Sequence, residues 1–193
     1  MPRKPVTDRS LKAQKTRKKL FQSAAKLIEN NGYENVTVEE ICKKSGVSVG
    51  AFYHYFNSKT DIIVEFFKQI DYFFEETVAN EFGNDASGNI DVFFRYYAQF
   101  HVDQGVEHTS MILKVQGDFF NDKTRFMYTK LFELVEKAAA EGKFGKKPDP
   151  ALVVDYLLVV ARGLLFDWAL VHGEHDLVEK MGNYIKIAKK AFI

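Results

Sequence analysis

Apolar residues recur at intervals of three and four along nearly the whole chain, and no segment alternates convincingly at two, so the pattern predicts an all-α protein. Leu20, Phe21, Ala24, Ala25, Leu27 and Ile28 form one stripe that stops at Asn30, Asn31 and Gly32, where a helix C-cap is expected. Thr37, with Glu40 three residues on, has the form of a capping box, in which hydroxyl and carboxylate satisfy each other's backbone N–H groups. Val36 and Ile41 flank it at the positions of a hydrophobic staple. A second helix is therefore predicted from Thr37 to about Ser45. Gly46 suits a tight turn, Ser48 can cap a third helix over 48–55, and Ser58 with Asp61 repeats the box at the start of a fourth. The stripe of that helix, from Ile62 through Phe66, Phe67, Ile70, Phe73 and Phe74 to Val78, runs on towards Gly83.

The run 83–89 is rich in turn formers and predicts a boundary or connector. Beyond it, helices are predicted over 90–103, 107–119, 122–141, 149–172 and 175–191. Asp149 then Pro150 reads as an N-cap with proline at the first helical position, and Gly105, Gly142 and Gly173 fall at helix ends. The organisation that results is a small domain with a basic arm, 1–60, and a larger helical domain, 61–193.

Charge sharpens this division. Residues 1–60 carry 12 Lys/Arg against 5 Asp/Glu, whereas 61–193 carry 15 against 21, so a net +1 hides a +7 segment and a −6 segment. The first third is built to meet a polyanion. The single cysteine, Cys42, excludes an intramolecular disulfide and suits a reducing cytoplasm. Met1 to Thr16 is charged rather than apolar, and 151–171 is interrupted by Asp155, Arg162, Gly163 and Asp167, which argues against a signal peptide or membrane span. No nucleophile elbow or phosphate loop is present, and His172 and His175 have no third ligand in view, so catalysis, metal and cofactor are not expected.

Thr37 to Phe56 places two short helices around Ser45-Gly46-Val47 at the spacing of a helix-turn-helix. On the second, Phe52 and Phe56 fall together over Val47, while Gly50, Ala51 and His54 face the other way. One face anchors and the other reads. Small Gly50 and Ala51 let the backbone approach base edges, and Tyr53, His54 and Tyr55 carry donors that reach phosphates; packing remains an alternative role for the two tyrosines.

The run Gly32-Tyr-Glu-Asn-Val-Thr-Val-Glu-Glu-Ile41, continuing through Ser45-Gly-Val-Ser-Val-Gly-Ala-Phe-Tyr-His-Tyr-Phe56 to Ser58-Lys59, resembles the N-terminal domain of TetR-family repressors. The resemblance spans about residues 15–67. It implies a three-helix DNA-binding domain in a homodimer, joined to a variable effector domain whose last two long helices pair with the partner. It also makes Thr37, Tyr53, Tyr55 and Lys59 phosphate contacts and turns Val49, Gly50 and Ala51 towards base edges, with Ser48 and His54 completing the candidate DNA-binding set. Two departures stand out: valine at 49, where the family often has a basic or polar residue, and the order Tyr53-His54-Tyr55-Phe56. Valine cannot donate to guanine but can press on a thymine methyl, so readout leans towards apolar contacts and DNA shape.

In the second domain the resemblance, rather than any motif, nominates an apolar ligand site lined by Phe93, Tyr97, Phe100, His101, Met111, Phe119, Phe120, Phe166, Asp167 and Trp168, with Gln116 as a further polar candidate. Helix 149–172 is apolar around more than one face, and Gly163 would allow close helix approach, which with a final helix carrying Met181, Tyr184, Ile185, Ala188 and Phe192 suggests an intersubunit four-helix bundle. The expected protein is a cytoplasmic bacterial transcription regulator, a homodimeric repressor released from a palindromic duplex operator by an apolar or aromatic small molecule. A structural or nucleoid-associated DNA-binding protein without an inducer is the alternative. Ligand, operator and the sign of regulation stay open.

Overall fold

The computed structural model describes residues 8–114, 122–145 and 148–192. Helices α1 (Asp8–Asn31), α2 (Val38–Ser45), α3 (Val49–Tyr55) and α4 (Asp61–Glu76) are followed by a 3₁₀ turn, Val78–Glu81, and by α5 (Ala86–Gln104), α6 (Val106–Lys114), α7 (Phe126–Ala140), α8 (Pro150–Leu170) and α9 (Leu177–Lys190). No strand occurs among the described residues, and no helix there is long and apolar enough to cross a membrane. The chain divides into two compact units, 1–66 and 67–193, a division that falls inside α4.

In the first unit, the stripe Leu20, Phe21, Ala24 and Ile28 of α1 is buried together with Val36, Ile41, Phe52, Phe56 and Ile62. Local signals set the helix ends. The N–H of Gly32, at φ 76°, closes α1 on Ile28 O (2.8 Å), and Gly46, at φ 62°, ends α2 in the left-handed conformation. Across α4's first turn, Ser58 Oγ donates to Asp61 Oδ1 (3.0 Å), while the Asn57 N–H donates to Asp61 Oδ2 (2.8 Å).

The second unit is organised on α5, which packs against α6, α7, α8 and α9, while α8 also packs on α6, α7 and α9. Its core joins Phe74, Ile90, Phe93, Phe94, Leu131, Val135, Leu157, Leu165, Met181 and Ile185. Several helix ends differ from the pattern-based boundaries. The 83–89 run is no domain boundary: Asp85 accepts the Gly88 N–H (3.1 Å) and starts α5 early, and Asn89 folds back to pair with both the N–H and the C=O of Gly83 (2.8 Å each). Asp122 binds the Thr124 N–H (2.9 Å) in an Asx turn, which delays α7 to Phe126. Asp176, capping Glu179 N (2.9 Å), sets the start of α9. The end expected at 119 for the sixth helix lies outside the described residues.

Candidate nucleic-acid interface and effector core

The start of α2 is a complete capping box. Thr37 Oγ1 accepts the Glu40 N–H (3.2 Å) and the Thr37 N–H donates to Glu40 Oε2 (2.8 Å). These hydrogen bonds, the backbone one foremost, hold the Glu40 carboxyl below its usual range. Thr37 is exposed there. Ser48 caps α3 by accepting the Ala51 N–H (3.2 Å).

Along α3 the two faces separate. Phe52 and Phe56 are buried, their rings 5.5 Å apart. Val49, Gly50 and His54 are exposed, Ala51 and Tyr55 half-buried, and Tyr53 is 52% exposed while packing edge-on against Phe52. A Cβ built on Gly50 meets nothing within 4 Å, so no neighbour in the unit requires glycine there.

Three partnerships were not foreseen from the pattern. Lys59 Nζ donates to the carbonyls of Tyr33 (2.8 Å) and Val36 (2.9 Å) and lies 4.1 Å from the centre of the Tyr33 ring. The Tyr33 hydroxyl in turn meets Thr60 Oγ1 (3.2 Å). Arg17, on α1, pairs with Glu65 (2.8 Å) and lies over the Phe56 ring (5.3 Å). The signal for Tyr33 was an aromatic residue in the turn just before a capping box.

In the second unit, Phe93, Tyr97, Phe100, His101 and Trp168 are all buried. Rings run in sequence from Phe74 to Phe93 (4.5 Å), Phe94 (5.2 Å), Tyr97 (6.4 Å) and His101 (5.0 Å). At the His101 end the chemistry turns polar: His101 Nδ1 and Thr109 Oγ1 share a hydrogen bond (3.0 Å), with His108 also buried. Trp168 donates from Nε1 to His175 O (3.1 Å). Met111 belongs to α6, whereas Phe119, Phe120 and Gln116 lie outside the described residues.

Two of the expected lining residues are misplaced for that role. Phe166 is 55% exposed on the outer face of α8, because the inner face is already occupied by Leu157, Leu164, Leu165 and Trp168. Asp167 is half-exposed and pairs with Lys180 of α9, which holds its carboxyl below the usual range. The outer face of α8 has its own pattern. Leu152, Tyr156, Val159, Phe166 and Leu170 are exposed, and with Gly163 they recur at alternating intervals of four and three. Tyr184 and Ile187 are exposed on α9.

Burial lowers the pKa of His101 to about 3, and burial with the nearby His101 does the same for His108. In the unfolded chain both take up protons near pH 6.5, while in the folded protein they do not until near pH 3. The unfolded state therefore binds more protons across that window, and stability falls as pH falls. Between pH 6.5 and 5, where carboxylates are still ionised, urea denaturation should show a loss approaching about 1.4 kcal/mol per pH unit for each histidine. Replacing both with glutamine should flatten that slope; an unaltered slope would assign it elsewhere.

The sequence pattern of bacterial regulatory proteins of the tetR family matches residues 20–66. The chain is 38% identical over 50 residues to the fatty acid metabolism regulator protein of Bacillus subtilis (strain 168), a match covering 26% of either protein. It is 24% identical over 182 residues to the HTH-type transcriptional regulator SAR2658 of Staphylococcus aureus (strain MRSA252), covering 90% of this chain and 91% of that one. Both relatives are named as regulators. The fold is shared with the transcriptional regulator FadR from Bacillus subtilis, solved in complex with stearoyl-CoA, at a TM-score of 0.77 and 18% identity over 91% of this chain and 99% of the other.

Proposed function

We propose that the chain is a member of the tetR family of bacterial regulatory proteins, whose pattern matches residues 20–66, and that it is a cytoplasmic, homodimeric repressor that leaves its operator when an apolar or aromatic small molecule binds the second unit. The observation that carries the DNA-reading part is the division of α3, whose Phe52 and Phe56 are buried while Val49, Gly50 and Tyr53 stand exposed in a unit of net positive charge. The exposed stripes of α8 and α9 are the surfaces a second copy would cover. The two reading helices would then address successive major grooves about 34 to 36 Å apart.

The run of rings ending at His101 and Thr109 supports an apolar ligand with a polar end. The stearoyl-CoA bound by FadR suggests acyl chains as the first class to try. Ligand would act by favouring one of two arrangements of the dimer, with α4 as lever. Within the second unit α4 is held by Arg125, whose Nε bonds Asp71 (2.8 Å) and whose guanidinium reaches Phe67 O (3.2 Å), while Asp71 also accepts the N–H of Met127 at the start of α7 (3.2 Å). A nucleoid-associated role without inducer is not favoured, since the relatives are regulators.

The test is selection from a random duplex pool at moderate salt. An enriched palindrome with half-sites spaced by helical turns is expected; retention that tracks salt alone would leave only an electrostatic handle on DNA. Acyl-CoAs and phenols that raise the melting temperature and release the selected duplex would establish induction.

A further inference from the structure

We propose that Lys59 serves DNA binding as a positioning residue, fixing the backbone at the start of α2, rather than as a phosphate ligand; this rests on the DNA-reading function above. The peptide unit joining Val36 to Thr37 is planar, so its C=O and N–H move as one plate. Lys59 Nζ donates to the Val36 carbonyl on one edge (2.9 Å), and on the other edge the Thr37 N–H donates to Glu40 Oε2 (2.8 Å). The plate is gripped from both sides.

A second bond from the same ammonium to Tyr33 O (2.8 Å), the Tyr33 ring beneath it at 4.1 Å, and the contact between the Tyr33 hydroxyl and Thr60 Oγ1 (3.2 Å) bind the turn between α1 and α2 to the residues between α3 and α4. Two of the three donors of the lysine are thereby directed at its own chain. Both bonds are charge-assisted, the stronger kind. Their effect is to set Thr37, at the start of α2, in register with Tyr53 and Tyr55 on α3. Phosphate contacts from two helices to one duplex require that register, because a donor displaced by even an ångström loses its hydrogen-bond geometry.

The experiment uses full-length protein and the duplex selected from the random pool, titrated over a series of salt concentrations, with Lys59→Met, Thr37→Ala and the double variant. Lys59→Met should bind roughly tenfold more weakly, as loss of charge-assisted bonds implies, with the wild-type salt slope intact. Thr37→Ala should cost less affinity in the Lys59→Met background than alone, since the register it depends on is already lost. If Lys59→Met is unfolded at the assay temperature, Lys59→Gln, which keeps N–H donors without the charge, carries the same test. A slope reduced by about one unit would make Lys59 a phosphate ligand and overturn the proposal. Unchanged affinity, or strictly additive effects with Thr37→Ala, would overturn it too. A wild-type protein that selects no duplex overturns the DNA-reading function itself, and the proposal with it.

Discussion

Gly50→Leu should lower affinity for the selected duplex by about a hundredfold or more, while the protein melts no lower than the wild type. Glycine inside a helix is a liability, costing roughly 0.5–1 kcal/mol relative to alanine, and the cost is borne when something needs the missing side chain. Nothing within the first unit needs it: position 50 is exposed and an added Cβ would meet open space. A leucine there satisfies the helix and harms no packing. Against DNA the same side chain would stand between the α3 backbone and the base edges, lifting neighbouring contacts that are each worth about 1–3 kcal/mol of discrimination. Binding to random duplex, which depends on phosphate contacts and charge, should persist at low salt. Gly50→Ala should fall between, with a small gain in stability. Calorimetry and a titration of both duplexes measure all of this; full operator affinity in Gly50→Leu would remove α3 from the groove.

Val159→Asp should convert the dimer to monomers and abolish operator binding without unfolding the chain. Val159 is 64% exposed in the single chain, so a charge there has little to disturb, and surface substitutions of this sort usually fall within about 0.5 kcal/mol. Its neighbours at four and three residues, Leu152, Tyr156, Gly163, Phe166 and Leu170, form a seam on the outside of a helix whose inside is already packed. A seam with that period suits a second helix crossing at a shallow angle, and glycine at its middle lets the backbones come close. Two-fold symmetry places the substitution twice in one interface, burying two unpaired carboxylates. Sedimentation at micromolar concentration should show a dimer for the wild type and a monomer for the variant, a rise of roughly a thousandfold or more in the dimer Kd. A variant that stays dimeric would move the interface off α8.

What could be read in the chain follows from how local each signal is. The box of Thr37 with Glu40 is a short-range device, and the structure has it as the pattern predicts. Ser58 and Asp61 form only half of one: Ser58 Oγ accepts the Asp61 N–H (3.3 Å), but the Asp61 carboxylate takes the N–H of Asn57, and α4 begins at Asp61 itself. The burial of Phe52 and Phe56 followed from helical period alone. The early start of α5 was missed because Asp85 and Asn89 look like loop residues until one sees which backbone groups they satisfy. The resemblance named Lys59 only as a phosphate contact; its two carbonyl partners could not be read from the pattern, because they lie more than twenty residues earlier in the chain. Phe166 and Asp167 show how little a family resemblance says about which face of a helix looks inward. A helix with two apolar faces gives no hint of which face looks inward, and only the packing of α8 against α5, α6, α7 and α9 decides it.

The chain's two rarest side chains fall one to each unit. Cys42, the sole cysteine, is buried in the first unit, and burial pushes its thiol up, away from the reactive thiolate. Trp168, the sole tryptophan, is buried in the second. Native thiol labelling therefore times the opening of the DNA-reading unit, while indole fluorescence follows the other, both in unmodified protein. An effector that quenches or shifts the indole while altering the labelling rate at Cys42 would reveal, in one cuvette, whether news of its arrival crosses the molecule.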